Sequence, residues 1–119
     1  MKKYPEAIGP YSAYRKAGNL IYTSGQLPID PETNEFPGDK IEDQTRQSLL
    51  NVKAILEENS CSMDDVIKTT VYLNDMNDFS AMNEVYKEFF VSPYPARTAI
   101  AVEKLPKNAL VEIEVVAVL

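Results

Sequence analysis

Two apolar runs within residues 94–118 carry one guanidinium, Arg97, and two carboxylates, Glu112 and Glu114, among small and β-branched residues. The stretch reads Tyr94-Pro95-Ala96-Arg97-Thr98-Ala99-Ile100-Ala101-Val102, then Leu105-Pro106-Lys107-Asn108, then Val111-Glu112-Ile113-Glu114-Val115-Val116-Ala117-Val118. A planar guanidinium can grip a carboxylate through two parallel hydrogen bonds, a geometry that lysine cannot copy. A glutamate at an apolar strand can orient or deprotonate an attacking water. Anion recognition by Arg97 beside water activation by Glu112 is the chemistry these residue types support. Each also has a plainer explanation. Arg97 can close an ion pair with Glu114 or Glu103, and Glu112 can be a strand residue facing solvent.

The elements that must position these groups read as two strands around a polar connection, which predicts an antiparallel hairpin. Side chains alternate along a strand, so Arg97, Ala99, Ala101 and Glu103 share one face, as do Glu112, Glu114 and Val116. With the turn tip near Pro106 and Lys107, Arg97 falls opposite Val116 and Ala99 opposite Glu114, on one common face. That register separates Arg97 and Glu112 by about four residues, or ~13 Å between backbones. Either the register differs or neighbouring copies contribute the two groups.

Upstream, a strand from Tyr11 to Lys16, a turn at Ala17-Gly18-Asn19 and a strand at Leu20-Ile21-Tyr22-Thr23 predict a first hairpin, ending in Ser24-Gly25-Gln26. Residues 29–38 are rich in Pro, Asp, Asn and Thr and predict a loop with at most a short strand. Asp39 with Glu42 three residues on has the spacing of a capping box. Ile41, Thr45, Ser48, Leu49, Val52, Ile55 and Leu56 then recur at helical spacing, stopping near Asn59. Arg46, Gln47, Lys53 and Glu57 form its wet face. Val66 to Leu73 predicts a strand with Ile67, Val71 and Leu73 on one face and Lys68, Thr70 and Tyr72 on the other. Asn77 or Asp78 caps a second helix lined by Phe79, Met82, Tyr86, Phe89 and Phe90 and ended by Pro93 and Pro95. Cys61 is a loop bystander, and Asp64-Asp65 is a solvated pair or a helix start and not a metal site.

The order ββ(β)αβαββ predicts an α+β domain spanning residues 1–119, with two helices on one face of a mostly antiparallel sheet. Ala99, Ala101, Val116 and Val118 are expected on the other face, and an uncovered apolar sheet face predicts a homo-oligomer packed through it. Of 119 residues 45% are hydrophobic and 25% charged, with a net charge of −6, so no basic footprint for nucleic acid or an anionic membrane is present. No apolar run approaches the ~20 residues of a membrane span, and no signal peptide is visible. One cysteine excludes an internal disulfide, and the cytoplasm is the expected location. The absence of histidine removes Ser-His-Asp, Cys-His and His-ligated zinc chemistry, and the four glycines form no phosphate loop.

Ile8-Gly9-Pro10-Tyr11, Thr23-Ser24-Gly25-Gln26, Ser48-Leu49-Leu50-Asn51-Val52, Val66-Ile67-Lys68-Thr69-Thr70-Val71, Asp78-Phe79 with Asn83, Pro95-Ala96-Arg97, Leu105-Pro106-Lys107 and Val111-Glu112-Ile113-Glu114 occur in that order. Together they resemble the reactive intermediate deaminase family, also called the YjgF or RidA family, over essentially the whole chain. The resemblance implies a chorismate-mutase-like fold and a homotrimer with a site in each subunit cleft. It further implies hydrolysis of 2-imino acids such as 2-iminobutanoate and 2-iminopropanoate to 2-oxo acids and ammonia, with no metal or organic cofactor. Arg97 would bind the substrate carboxylate and Glu112 would handle water. Tyr11, Ser24 with Gly25, and Asn83 would line the cleft.

Many members carry a cysteine two residues after the arginine, where this chain has Ala99, which leaves only the backbone there to touch substrate. The connection from Phe90 to Tyr94 is also short. Plainer roles stand beside these: Tyr11 as a packed strand tyrosine, Ser24-Gly25 as a turn, and Asn83 as an amide satisfied by a loop carbonyl. Pyridoxal-phosphate dehydratases generate such imines and are the implied functional partners. A non-catalytic 2-oxo acid sensor and a ribonuclease or translation inhibitor are the alternatives. The acidic balance and the missing histidine argue against the last.

Overall fold

The computed structural model describes residues 2–119. The apolar residues spaced three and four apart form α1 (Ile41–Glu58), and all seven expected stripe residues are buried. The helix starts after Lys40, whose side chain makes no capping bond, so the predicted Asp39–Glu42 box does not form. Gln44 holds this end from inside instead. Its amide donates to the Gly38 carbonyl (2.8 Å) and its carbonyl oxygen accepts from the Leu110 N–H (2.8 Å). Asn59 caps the C-terminus, as its position suggested.

The strands are β1 (Tyr14–Ala17), β2 (Leu20–Thr23), β3 (Val66–Leu73), β4 (Ala96–Ala101) and β5 (Val111–Val118), with α2 (Phe79–Tyr86) between β3 and β4. The first hairpin forms, with β1 starting three residues later than expected and Gly18 supplying a φ of +59° in its turn. The loop over residues 29–38 contains only a single bridge between Asp30 and Glu35.

The second hairpin does not form. The sheet order is β1-β2-β5-β3-β4, with β4 parallel to β3 and β5 antiparallel to both β2 and β3. Parallel neighbours need a crossover, and α2 provides it. The chain then leaves the edge strand β4 and crosses back to fill the sheet's centre. A 3-10 turn at Pro106–Asn108, with Lys107 and Asn108 at positive φ, directs that path. Arg97 therefore lies beside Thr69 rather than Val116, and Ala99 beside Val71 rather than Glu114.

Both helices cover one face of the sheet. Val111, Ile113, Val115 and Ala117 of β5 join Val71, Leu73 and Ile21 beneath them. The open face carries Glu112, Glu114, Val116 and Val118 of β5, with Tyr72, Thr98, Ile100 and Tyr22. Ala99 points to the helices, not to the open face as expected, because Arg97 and its ladder partner Thr69 face α2. Ile67 also departs from expectation: an irregularity between Val66 and Lys68 turns it outward and shifts the inward set to Val66, Thr69, Val71 and Leu73. Asp78 holds the N-cap position of α2, as expected for one of the two candidates, but its side chain makes no capping bond; Asp75 caps the 3-10 turn ahead of it, accepting from the Asn77 N–H. The second helix ends at Tyr86, several residues before the prolines. Asp65 accepts from the Ser62 N–H at 2.9 Å, the helix-start role foreseen for that pair.

Candidate active site

The end of β2 builds the first half of the site. Gln26 forms an isolated bridge with Ile113, its N–H donating to the Ile113 carbonyl at 2.7 Å and its own carbonyl accepting from the Ile113 N–H at 3.2 Å. That bridge lays Gly25 against Glu112. A Cβ on Gly25 would stand 2.8 Å from the Glu112 Cδ and collide with its carboxylate, so the close approach requires glycine. Ser24 ties in the preceding segment, its hydroxyl donating to the Ser12 carbonyl (2.6 Å) and its N–H to the Ala13 carbonyl (2.9 Å).

The result is a cleft of about 460 Å³ lined by Tyr11, Ser24, Gly25, Glu112, Lys107 and a mostly apolar wall. One wall is braced by Asn51 of α1. Its side-chain amide, fully buried, donates to the Leu27 and Ile29 carbonyls at 3.1 and 2.9 Å. Burial pushes the Glu112 carboxyl above its ordinary range, and the like charge of Glu114 adds to the shift. Glu114 itself accepts from the Tyr72 phenol at 3.3 Å. A carboxyl that resists ionisation, set in a concave apolar cleft, is suited to taking and returning a proton.

The second half lies on the other face of the sheet. Arg97 extends over α2, where its Nη1 donates to the Asn83 side-chain oxygen at 2.6 Å. Its guanidinium carbon lies 4.7 Å from the Tyr86 ring centre and 5.4 Å from that of Phe79. The Tyr86 hydroxyl and the Thr69 hydroxyl share a hydrogen bond of 2.8 Å. Among the described residues no carboxylate lies within 4.0 Å of Arg97, so neither Glu114 nor Glu103 pairs with it.

Of the residues singled out from the sequence, Tyr11, Ser24, Gly25 and Glu112 converge in the cleft. Arg97 and Asn83 meet each other elsewhere, and Ala99 follows two residues along β4, packed towards the core. Within one subunit the two groups sit two strands and three ladder positions apart, about 14 Å between backbones, on opposite faces. Asn51, Gln26, Thr69 and Tyr86 carry positioning roles that spacing alone did not assign. Asn51 had one visible signal: an amide set among the buried residues of an amphipathic helix demands a partner.

A family model described as endoribonuclease L-PSP matches residues 1–119. The chain is 58% identical over 113 residues to a RutC family protein of Pyrococcus horikoshii, covering 95% of this chain and 90% of that one. It is 45% identical over 115 residues to a protein of Dermatophagoides farinae named 2-iminobutanoate/2-iminopropanoate deaminase, covering 97% and 90%. The crystal structure of Escherichia coli TdcF with bound serine superposes with a TM-score of 0.94 at 46% identity, covering all of this chain and 95% of the other. With the five-stranded mixed sheet, the two helices on one face and the matched motifs in hand, the chain belongs to the reactive intermediate deaminase family, known also as RidA or YjgF.

Proposed function

We propose that the protein hydrolyses small 2-imino acids, 2-iminobutanoate and 2-iminopropanoate among them, to 2-oxo acids and ammonia. The observation that carries this is Glu112, a carboxyl held above its usual range and pressed against the Gly25 backbone in a cleft it shares with Tyr11 and Ser24. The deaminase name of the mite relative and the serine in the TdcF crystal support the substrate class, because serine has the same α-carboxylate next to nitrogen.

Protonated imine carbon is already electrophilic, so modest base assistance suffices. Glu112 takes a proton from water as the oxygen bonds to that carbon, giving a carbinolamine. The carboxylic acid returns the proton to nitrogen, the C–N bond breaks, and ammonia leaves. Glu112 takes the hydroxyl proton as the 2-oxo acid forms and passes it to ammonia. Arg97 grips the substrate carboxylate, and Tyr11, Ser24 and the backbones of Gly25 and Ala99 shape the pocket. Because Arg97 and Glu112 face opposite sides of one subunit, the complete site takes Arg97 from one copy and the cleft from another. A homotrimer packed through the open sheet face supplies that arrangement. Pyridoxal-phosphate dehydratases of the cytoplasm are the source of imines of this size.

The test is semicarbazide trapping of the imine released by a threonine dehydratase. Wild-type protein should slow semicarbazone formation, and Arg97→Ala and Glu112→Gln should not. Unchanged trapping with wild-type protein refutes the assignment. The family description also names a ribonuclease; with net charge −6 and no histidine, purified protein should leave a model RNA intact.

A further inference from the structure

We infer, resting on the assignment of Arg97 as carboxylate anchor, that Tyr86 is a positioning residue that holds the guanidinium with its Nε–Nη2 edge free for the substrate.

Three links close on one another around this arginine, and a fourth buttresses them. Arg97 of β4 is the ladder partner of Thr69 of β3. The Thr69 hydroxyl is bonded to the Tyr86 phenol at 2.8 Å, and the Tyr86 ring lies 4.7 Å from the guanidinium carbon. Thr69 is 0% and Tyr86 7% exposed, so water does not compete for their bond, and its electrostatic strength is retained. Phe90 packs on Tyr86 with ring centres 4.6 Å apart. The tyrosine ring is thus fixed at its tip by Thr69 and on its flank by Phe90, leaving it a rigid shelf for the cation.

Phe79, Asn83 and Tyr86 lie four and three residues apart, one stripe along α2 aimed at Arg97. Two rings and one amide oxygen orient the guanidinium without neutralising it. Asn83 occupies Nη1. Nε and Nη2 share the opposite edge, have no partner among the described residues, and match the spacing of two carboxylate oxygens. A flat delocalised cation stacks on such a shelf, whereas a lysine ammonium would rotate freely over it. Tyrosine suits the position better than phenylalanine because the hydroxyl sets the tilt of the ring.

Affinity for 2-oxobutanoate and the 1H–15N signal of the Arg97 Nε–H, assigned by its loss in Arg97→Ala, test this together. Tyr86→Leu should weaken 2-oxobutanoate binding about tenfold and move the Nε–H signal downfield as the ring current is lost. Tyr86→Phe and Thr69→Val, which keep the ring and drop its anchor, should each weaken binding about threefold and leave the signal upfield. In an Arg97→Ala background Tyr86→Leu should weaken binding no further, since its effect passes through the arginine. Equal losses in both backgrounds, or wild-type affinity with an unmoved signal in Tyr86→Leu, overturn the inference. If Tyr86→Leu fails to fold, wild-type affinity in both Tyr86→Phe and Thr69→Val overturns it. Wild-type affinity in Arg97→Ala would instead refute the anchor assignment, while the Nε–H signal still reports whether Tyr86 holds the guanidinium.

Discussion

Arg97 and Glu112 stand on opposite faces of one sheet. Arg97 rests on the Tyr86 ring of α2, and Glu112 packs on Gly25 across the open face. The proposed site needs both and would then be divided between copies. Arg97→Ala and Glu112→Gln proteins should each be inactive alone. Unfolded together and refolded at equal amounts, they should regain about a quarter of wild-type activity, since each mixed oligomer of the proposed trimer would contain one intact site. Activity that stays absent in mixed oligomers, confirmed by mass spectrometry, contradicts the shared site.

Gly25→Ala should separate site geometry from folding. The added methyl meets the Glu112 carboxylate, which is the mobile end of a side chain and can swing away. Turnover should fall about 100-fold while the melting temperature stays within a few degrees. Adding Glu112→Asp, one methylene shorter, should recover part of the loss. A drop in stability that matches the drop in rate would assign Gly25 to folding alone.

Burial first, and the charge of Glu114 second, raise the Glu112 carboxyl above its ordinary range. Such a group binds its proton more tightly in the folded state. Its stabilising contribution is complete below the unfolded carboxylate range and lost as pH rises through the folded value. Glu112→Gln should therefore melt higher than wild type at neutral pH, with the difference vanishing below about pH 4. The same variant should retain 2-oxobutanoate binding and lose turnover; retained turnover would remove Glu112 from the catalytic role. In wild type the acid limb of the rate profile should lie above the usual carboxylate range, and Glu114→Gln should move it down.

Asn51 braces the cleft from within the core, where its amide satisfies two carbonyls. Asn51→Ala leaves the Leu27 and Ile29 carbonyls without these partners and should cost about 2–4 kcal/mol. A lower urea midpoint at unchanged slope is the expected measurement. A midpoint within error of wild type would mean that water replaces the amide.

The local elements were legible because their causes are local. The apolar spacing from Ile41 to Leu56 can bury itself only as a helix, and the runs at Leu20–Thr23 and Val66–Leu73 carry strand composition between turn residues. The site residues Tyr11, Ser24, Gly25 and Glu112 were visible as types in motifs. What those patterns could not convey was pairing. A period of two tells which residues share a strand face, but not which strand lies alongside, nor which face of the sheet the helices take. The short polar connection at residues 102–110 suited a hairpin, yet the crossover through α2 places β4 parallel to β3 and leaves the centre for β5. That single topological outcome, set by long-range burial, moved Arg97 away from the glutamates and onto α2. It turned Ala99 inward and divided the chemistry between the two faces. Sequence alone determined which groups the protein owns; the tertiary structure decided which of them one copy can bring together, because contact across strands depends on partners far away in the chain.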